Sequence, residues 1–354
     1  MDNYFKERDK QNLILLNDLR RKLPSFCGGY FVAISTRTSV LTRLGYARDL
    51  LIFFNYLCSL DQFDASVPAE FGIEDLNRVT QQDIEFYLDY LDYYTVDGKE
   101  YHNDLRARAR KLSAVRSLFK YLYNKDLLKE NVSAKIMTPK LHENEIIRLE
   151  KDEMVKLLDV VESGDNLGEG HATAYHKNVA LRDTAIITLL LGTGIRISEC
   201  VGLNIDDIDF DNKKFVVTRK GGNRTVLYMP DEVVEALERY LEIRLKIQVE
   251  TDALFLSLQN KRINVRTVQI LVRKYAFASV PTKHITPHKL RSTFGTNLYR
   301  ETKDIYVVAT VLGHSDVNTT KKHYAAMNED IKKQAAEIVR LRKDDKTDSE
   351  EDDD

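Results

Sequence analysis

The sequence predicts a mainly α-helical protein with a small β-sheet, divided into two domains. Its 354 residues exceed the size of one ordinary domain. Apolar residues recur three and four positions apart over most of the chain, which is the spacing of helices with one buried face. The segment 205–230 instead contains short β-rich runs on either side of the turn KGGN, a pattern typical of a β-hairpin.

The first domain is predicted to be a small helical bundle over residues 25–138, preceded by a charged helical extension over residues 1–24. Almost no strand pattern occurs in it. Thr80 is a suitable N-cap for the helix in TQQDIEFYLDYLDYY. The last helix, in NDLRARARKLSAVRSLFKYLYNK, combines an apolar face with a strongly basic face.

A linker and a second domain follow. Residues 139–147 contain a proline and few packing signals, which favours a linker. The second domain is expected to span residues 148–342. Within it we expect a polar loop over residues 164–178, an apolar helix that ends at Arg196, the hairpin, and further helices after Pro230.

The acidic charge of the chain is concentrated at its C-terminus. The net charge is −2, but the last twelve residues, 343–354, hold eight acidic residues and two lysines. This tail is predicted to be disordered. The rest of the chain has 51 basic and 47 acidic residues. Such a mild excess means that any nucleic-acid binding must use local basic faces.

The sequence shows no signal for a membrane, for export or for a metal. No apolar run reaches the length of a membrane span, and the N-terminus MDNYFKERDKQ lacks the apolar stretch of a signal peptide. Cys27, Cys58 and Cys200 are far apart and form no CxxC pair, which argues against a zinc site. We therefore expect a cytoplasmic protein without a metal.

Two basic residues of the second domain have unusual surroundings. Arg196 follows the apolar helix in GTGIRISE, where an unpaired guanidinium would be costly to bury. Glu199 lies three residues on and is able to orient it, although a simple surface ion pair explains the spacing equally well. Lys220, at the turn RKGGNRT, is able to enter a cleft and donate a proton. Lysines are common in turns, so an ordinary turn is the stronger explanation of Lys220 taken alone.

Two further motifs lie nearer the C-terminus. In TPHKLRSTFGTNL, Thr286 suits the start of a helix whose first turn presents His288 and Arg291 on one side. A helix N-terminus favours anions, so this pair suits an oxyanion or a phosphate. In VLGHSDVNTTKKHY, His314 follows a helix-breaking glycine and Tyr324 ends the stretch. Either motif alone arises easily by chance, because the chain has 8 histidines and 18 tyrosines.

Taken together, these residues resemble the active-site signature of tyrosine recombinases, the integrase and Xer-type family of site-specific DNA recombinases. The signature comprises, in chain order, Arg196, Lys220, His288, Arg291, His314 and Tyr324. The resemblance covers most of the chain. It implies a helical, SAM-like core-binding domain and a mixed α/β catalytic domain that form a C-shaped clamp on DNA. The loop 164–178 is longer than usual, and the acidic tail is an addition.

The resemblance implies a nucleophile and a phosphate clamp. Tyr324 is expected to attack a DNA phosphodiester and to form a covalent 3′-phosphotyrosine. Arg196, oriented by Glu199, and Arg291 would grip the nonbridging phosphate oxygens and stabilise the charge of the transition state.

The resemblance also implies how protons move. His288 is the expected base, and His314 either helps it or hydrogen-bonds the phosphate. Lys220 would protonate the departing 5′ oxygen. Because the covalent bond conserves the energy of the broken phosphodiester, no ATP, metal or other cofactor is expected.

The expected partner is double-stranded DNA that carries a roughly palindromic recombination site. Arg106, Arg110 and Lys111 are the candidate contacts of the first domain, with a solvated charged face as the alternative. A homotetramer would recombine two duplexes through a four-way junction. In this family the C-terminal helix, here within residues 327–342, often docks on a neighbouring subunit. A DNA translocase is a candidate regulator.

Several functional alternatives stay open at this point. Within the family, a short extension over residues 1–24 favours Xer-type chromosome or plasmid dimer resolution over the integrase or transposase of a mobile element. A type IB topoisomerase uses a similar residue set, and a DNA-binding protein without activity is a further alternative. A metalloenzyme using His171 and His176 is disfavoured, since their spacing does not place two ligands on one helix face.

Overall fold

A computed structural model of the chain describes residues 3–96, 98–139, 147–168, 171–219 and 222–313. The chain separates into two compact units, Met1–Asn144 and Glu145–Asp354, so the division falls within the predicted linker. The predicted domain boundaries themselves stay predictions. None of the described helices is both long enough and apolar enough to cross a membrane.

The first unit is a helical bundle with one small hairpin. Its described elements are, in chain order, α1 (Asn3–Arg21), α2 (Cys27–Ala33), α3 (Val40–Cys58), α4 (Ile73–Arg78), α5 (Gln81–Tyr90), β1 (Tyr93–Val96), β2 (Lys99–His102) and α6 (Leu105–Tyr123). Both α1 and α6 pack against α3. The buried rings of Phe53, Tyr87 and Phe119 lie between α3, α5 and α6. The predicted apolar face of α6 forms part of this core.

The hairpin of β1 and β2 corrects the expectation that this domain has almost no strand. Helix α5 begins as predicted, because the Thr80 hydroxyl accepts a hydrogen bond from the Asp83 amide. It ends at Tyr90, and the two strands pair in antiparallel register. Tyr94 and Tyr101 lie opposite each other with stacked rings, 5.3 Å between centroids. Such cross-strand aromatic pairs stabilise a sheet.

The second unit surrounds a three-stranded antiparallel sheet with helices. Its described elements are α7 (Lys151–Ser163), α8 (His171–Thr193), α9 (Ile197–Gly202), β3 (Ile208–Asp209), β4 (Lys214–Thr218), β5 (Arg224–Tyr228), α10 (Asp231–Arg244), α11 (Val265–Ser279), α12 (Pro287–Thr302) and α13 (Ile305–Leu312). The strand order is β3-β4-β5. Strands β4 and β5 form the predicted hairpin, and Phe215 and Val217 point into the core. Helix α8 packs on α7, α10 and α12, which makes it the central helix of this unit.

Two boundaries of α8 differ from the sequence prediction. The helix begins at His171, so the second half of the predicted polar loop 164–178 is helical. No glycine or proline interrupts the chain between there and Gly192, which allows the helix to extend into the polar segment. The helix also ends at Thr193 rather than at Arg196, because Gly194 adopts a left-handed conformation with φ 62°.

Candidate active site

Three arginines meet at the C-terminal end of α13. Each donates a hydrogen bond to one of three consecutive backbone carbonyls: Arg219 Nη2 to Val311 at 2.8 Å, Arg291 Nη2 to Leu312 at 2.5 Å, and Arg196 Nη2 to Gly313 at 3.0 Å. The last carbonyls of a helix lack intrahelical partners and carry the negative end of the helix dipole. They therefore hold three guanidinium groups close together.

Arg196 occupies the N-cap position of α9 and is fixed there by Glu199. One carboxylate oxygen of Glu199 accepts the Arg196 backbone N–H at 2.8 Å, and the other accepts from the guanidinium Nη1 at 2.9 Å. The Glu199 side chain is buried, whereas 38% of the Arg196 side chain stays exposed. The guanidinium therefore has the carboxylate partner that the sequence analysis expected, and it keeps an open side.

Arg291 lies in the second turn of α12 and is buried. Besides its bond to α13, its Nη1 donates to the Gly194 carbonyl oxygen at 2.7 Å. Gly194 has φ 62°, and a Cβ at this position would overlap the Phe294 ring and lie 3.0 Å from Leu312 Cδ2. The turn after α8 therefore requires glycine both for its conformation and for the close approach of the neighbouring side chains.

Arg219 belongs to this cluster and was missed by the sequence analysis. It follows β4 and is half-buried, and its guanidinium lies against Gly313, where any Cβ would overlap it. Burial lowers the pKa of Arg219; the Glu199 carboxylate opposes this shift and the charge of Arg196 adds to it. The one signal in the sequence was its position directly before Lys220.

The other predicted site residues fall into two groups. His288 is exposed in the first turn of α12, and its backbone carbonyl accepts a hydrogen bond from Ser292 Oγ at 3.0 Å. Thr286 is the N-cap of that helix as predicted, although its side chain makes no capping hydrogen bond. The remaining three residues of the signature lie outside the described residues: Lys220, His314 and Tyr324.

The candidate DNA contacts of α6 are not equivalent. Arg106 is exposed, and Arg110 is exposed but forms a bidentate ion pair with the buried carboxylate of Asp49. Lys111 is only 5% exposed and its Nζ donates to Asn103 Oδ1 at 2.6 Å. Burial lowers the pKa of Lys111, and Asp49 opposes that shift. The expectation that all three share one exposed face is therefore corrected for Lys111.

Of the two histidines considered for a metal site, His176 is a core side chain. His176 Nε2 lies 2.8 Å from the Val161 carbonyl oxygen, and its ring packs edge-on against Tyr275. Within the ranges that the structure describes, no group of three or more histidine, cysteine, aspartate or glutamate side chains is arranged to hold a metal.

Comparison with known proteins places the chain in a family. Residues 147–330 match the phage integrase family, and residues 30–126 match the phage integrase N-terminal SAM-like domain. The tyrosine recombinase XerC of Caldanaerobacter subterraneus subsp. tengcongensis is 35% identical over 82% of this chain and 79% of its own. The tyrosine recombinase XerS of Streptococcus thermophilus is 32% identical over 91% of this chain and 98% of its own. The chain belongs to the phage integrase family, as a Xer-type tyrosine recombinase.

A solved structure supports the fold of this recombinase. The crystal structure of the XerH site-specific recombinase bound to its difH substrate, a pre-cleavage complex, superposes with a TM-score of 0.61 at 20% identity. The match covers 85% of this chain and 81% of that one. The predicted fold class, a helical SAM-like domain and a mixed catalytic domain, is thereby confirmed. The relatives also favour site-specific recombination over the topoisomerase and mobile-element alternatives.

Proposed function

We propose that this tyrosine recombinase cuts and rejoins duplex DNA through a 3′-phosphotyrosine at Tyr324, and that it separates chromosome or plasmid dimers. The observation that carries the proposal is the convergence of Arg196 and Arg291 at the end of α13, immediately before His314 in the chain. Two guanidinium groups fixed side by side match the nonbridging oxygens of a phosphodiester. Glu199 orients the more exposed of the two.

The first strand cleavage follows from these roles. The Tyr324 oxygen attacks phosphorus and passes its proton to His288, with His314 assisting or holding a phosphate oxygen. The bond from phosphorus to the 5′ oxygen breaks, and Lys220 donates a proton to that oxygen. The charge that builds on the phosphate is stabilised by the two arginines, a kind of electrostatic contribution that is usually large. The 5′-hydroxyl of the partner strand then attacks the phosphotyrosine and releases Tyr324, so no external energy source enters.

The proposed substrate is a roughly palindromic DNA site. We propose that the domain over residues 25–138 and the domain over residues 148–342 both bind the duplex, as the family resemblance implies. Arg106 and Arg110 are the proposed phosphate contacts of the first domain. A homotetramer exchanging the helix within residues 327–342 would join two sites, and a DNA translocase would control it in the cytoplasm.

Covalent trapping tests the proposal. The protein is incubated with a library of nicked genomic DNA fragments, and the reaction is stopped with SDS. The DNA that stays covalently attached to the protein is then sequenced. Tyr324→Phe is run beside Tyr306→Phe, a matched control at an exposed tyrosine of α13. Adducts at one dyad-symmetric site, lost only in Tyr324→Phe, are expected. Adducts scattered over all sequences would instead indicate a topoisomerase, and no adduct with the unaltered protein would refute the proposed chemistry.

A further inference from the structure

We propose that Arg219 is a positioning residue that holds Lys220 where it delivers its proton to the leaving 5′ oxygen. This inference rests on the proposed function, because it assigns a role to a neighbour of the proposed general acid. Arg219 does not belong to the signature described above, and it does not need to touch the DNA to act.

The backbone of Arg219 closes the β4–β5 hairpin. Its N–H donates to the Asn223 carbonyl at 2.8 Å, and its own carbonyl accepts from the Gly222 N–H at 3.0 Å. Arg219 therefore continues the backbone pairing by one residue after β4 ends at Thr218. Lys220 is the next residue in the chain, and adjacent Cα atoms lie about 3.8 Å apart across a trans peptide bond.

The side chain of Arg219 ties this hairpin to α13. Its Nη2 donates to the Val311 carbonyl at 2.8 Å, across 92 residues of sequence, and its guanidinium packs against Gly313. The contact joins the residue before Lys220 to the residue before His314. It therefore links the two chain segments that lead to separate parts of the proposed proton-transfer machinery.

The charge of Arg219 carries an electrostatic cost that its hydrogen bond to the end of α13 has to offset. Burial lowers the pKa of Arg219, the Glu199 carboxylate opposes this shift, and the charge of Arg196 adds to it, so half-burial and repulsion from Arg196 both carry a cost. Its Nε is buried without a hydrogen-bond partner among the described residues. An ordinary hairpin residue in solvent avoids both costs. This electrostatic cost is reasonable if the contact of Arg219 fixes Lys220, since displacing a catalytic group by about 1 Å can slow a reaction about 100-fold.

A pair of DNA substrates isolates the proton-donation step. One carries the ordinary 5′ oxygen at the cleavage site, and the other carries a bridging 5′ sulfur at the same place. In both, the Tyr324 oxygen attacks phosphorus and the bond to the 5′ atom breaks. The sulfur departs as a thiolate that needs no proton, so loss of the general acid matters only for the oxygen substrate.

Single-turnover cleavage is measured for Arg219→Ala and Arg219→Lys. We expect Arg219→Ala to cleave the oxygen substrate about 10- to 100-fold more slowly and the sulfur substrate within about threefold of the unaltered protein. Arg219→Lys should fall between. The matched control is Arg224→Ala, which removes an equal charge from the same hairpin, where Arg224 pairs with Asp207 instead. It should behave as the unaltered protein on both substrates.

A double variant separates positioning from direct proton donation by Arg219. If Arg219 acts through Lys220, Arg219→Ala combined with Lys220→Ala should be no slower than Lys220→Ala alone. Additive losses would overturn the inference, as would equal slowing of Arg219→Ala on both substrates or no slowing on either. If Arg219→Ala does not fold, Arg219→Lys and Arg219→Gln carry the same comparison. Absence of cleavage by the unaltered protein would instead refute the proposed function itself.

Discussion

Replacing Gly194 by alanine tests how the turn after α8 positions Arg291. The residue has φ 62°, so alanine carries a left-handed strain of about 1–2 kcal/mol. Its Cβ would also overlap the Phe294 ring and lie 3.0 Å from Leu312 Cδ2, and overpacking of a core costs about 1–3 kcal/mol. The expected loss in the free energy of unfolding of the second unit is therefore about 2–5 kcal/mol.

The matched control is Gly168→Ala. Gly168 has φ 93° and lies in the same unit, but a Cβ there meets no atom of the described residues within 4 Å. Alanine at this position carries the backbone strain without the overpacking, so about 1–2 kcal/mol is expected. The difference between the two variants in the free energy of unfolding is the contribution of packing at Gly194.

Amide hydrogen exchange of α8 in the whole chain measures both effects, because its buried amides exchange through opening of the second unit. Losses of 2–5 kcal/mol correspond to exchange that is faster by about 30-fold to several thousand-fold. Equal acceleration in the two variants would refute the packing argument at Gly194. No acceleration in either would refute the strain argument as well.

Three further predictions concern other charged groups. Asp183→Ala should cost about 3–5 kcal/mol in urea unfolding, since it leaves the buried charge of Arg182 without its carboxylate. The hydrogen bond from Arg300 lowers the pKa of the Glu150 carboxyl, so the stability it contributes is present above the ordinary carboxyl pKa and is lost as pH falls through the lowered value. Arg300→Ala should therefore raise the pKa of Glu150 in an NMR titration and destabilise the protein, by under about 1 kcal/mol, at neutral pH but not in acid. Arg106→Ala should weaken DNA binding at all sequences and reduce the salt slope by about one.

Sequence patterns predict those elements of this protein in which the buried residues recur at one regular spacing, either that of a helix or that of a strand. The apolar face of α6 and the hairpin β4–β5 follow directly from the positions of apolar residues in the sequence. The sequence does not reveal strand β1, because its aromatic residues continue the apolar spacing of α5. A short apolar run fits the spacing of a helix and that of a strand equally well. The start of α8 was missed because a polar segment became helical by extension of an established helix, which is cooperative.

In the candidate site, contacts between neighbouring side chains are predictable from the sequence, whereas contacts to distant backbone atoms are not. Arg196 and Glu199 are neighbours in sequence, so their ion pair was predictable from spacing. Arg219 was not, because its acceptor is the carbonyl of Val311, and a backbone carbonyl has no signature in the sequence. Only the packing of α13 against the hairpin brings these groups together. Tertiary structure is therefore needed to recognise a positioning residue whose partners are main-chain atoms.

The carbonyls of α13 also bear on how a phosphate would enter the proposed site. The Leu312 carbonyl accepts a hydrogen bond from Arg291, and the Gly313 carbonyl accepts one from Arg196. Because the cations are already held in place by helix-end dipoles, little reorganisation is needed when negative charge builds on the phosphate. Arg196, the more exposed of the pair, would meet the phosphate first, and buried Arg291 would complete the grip.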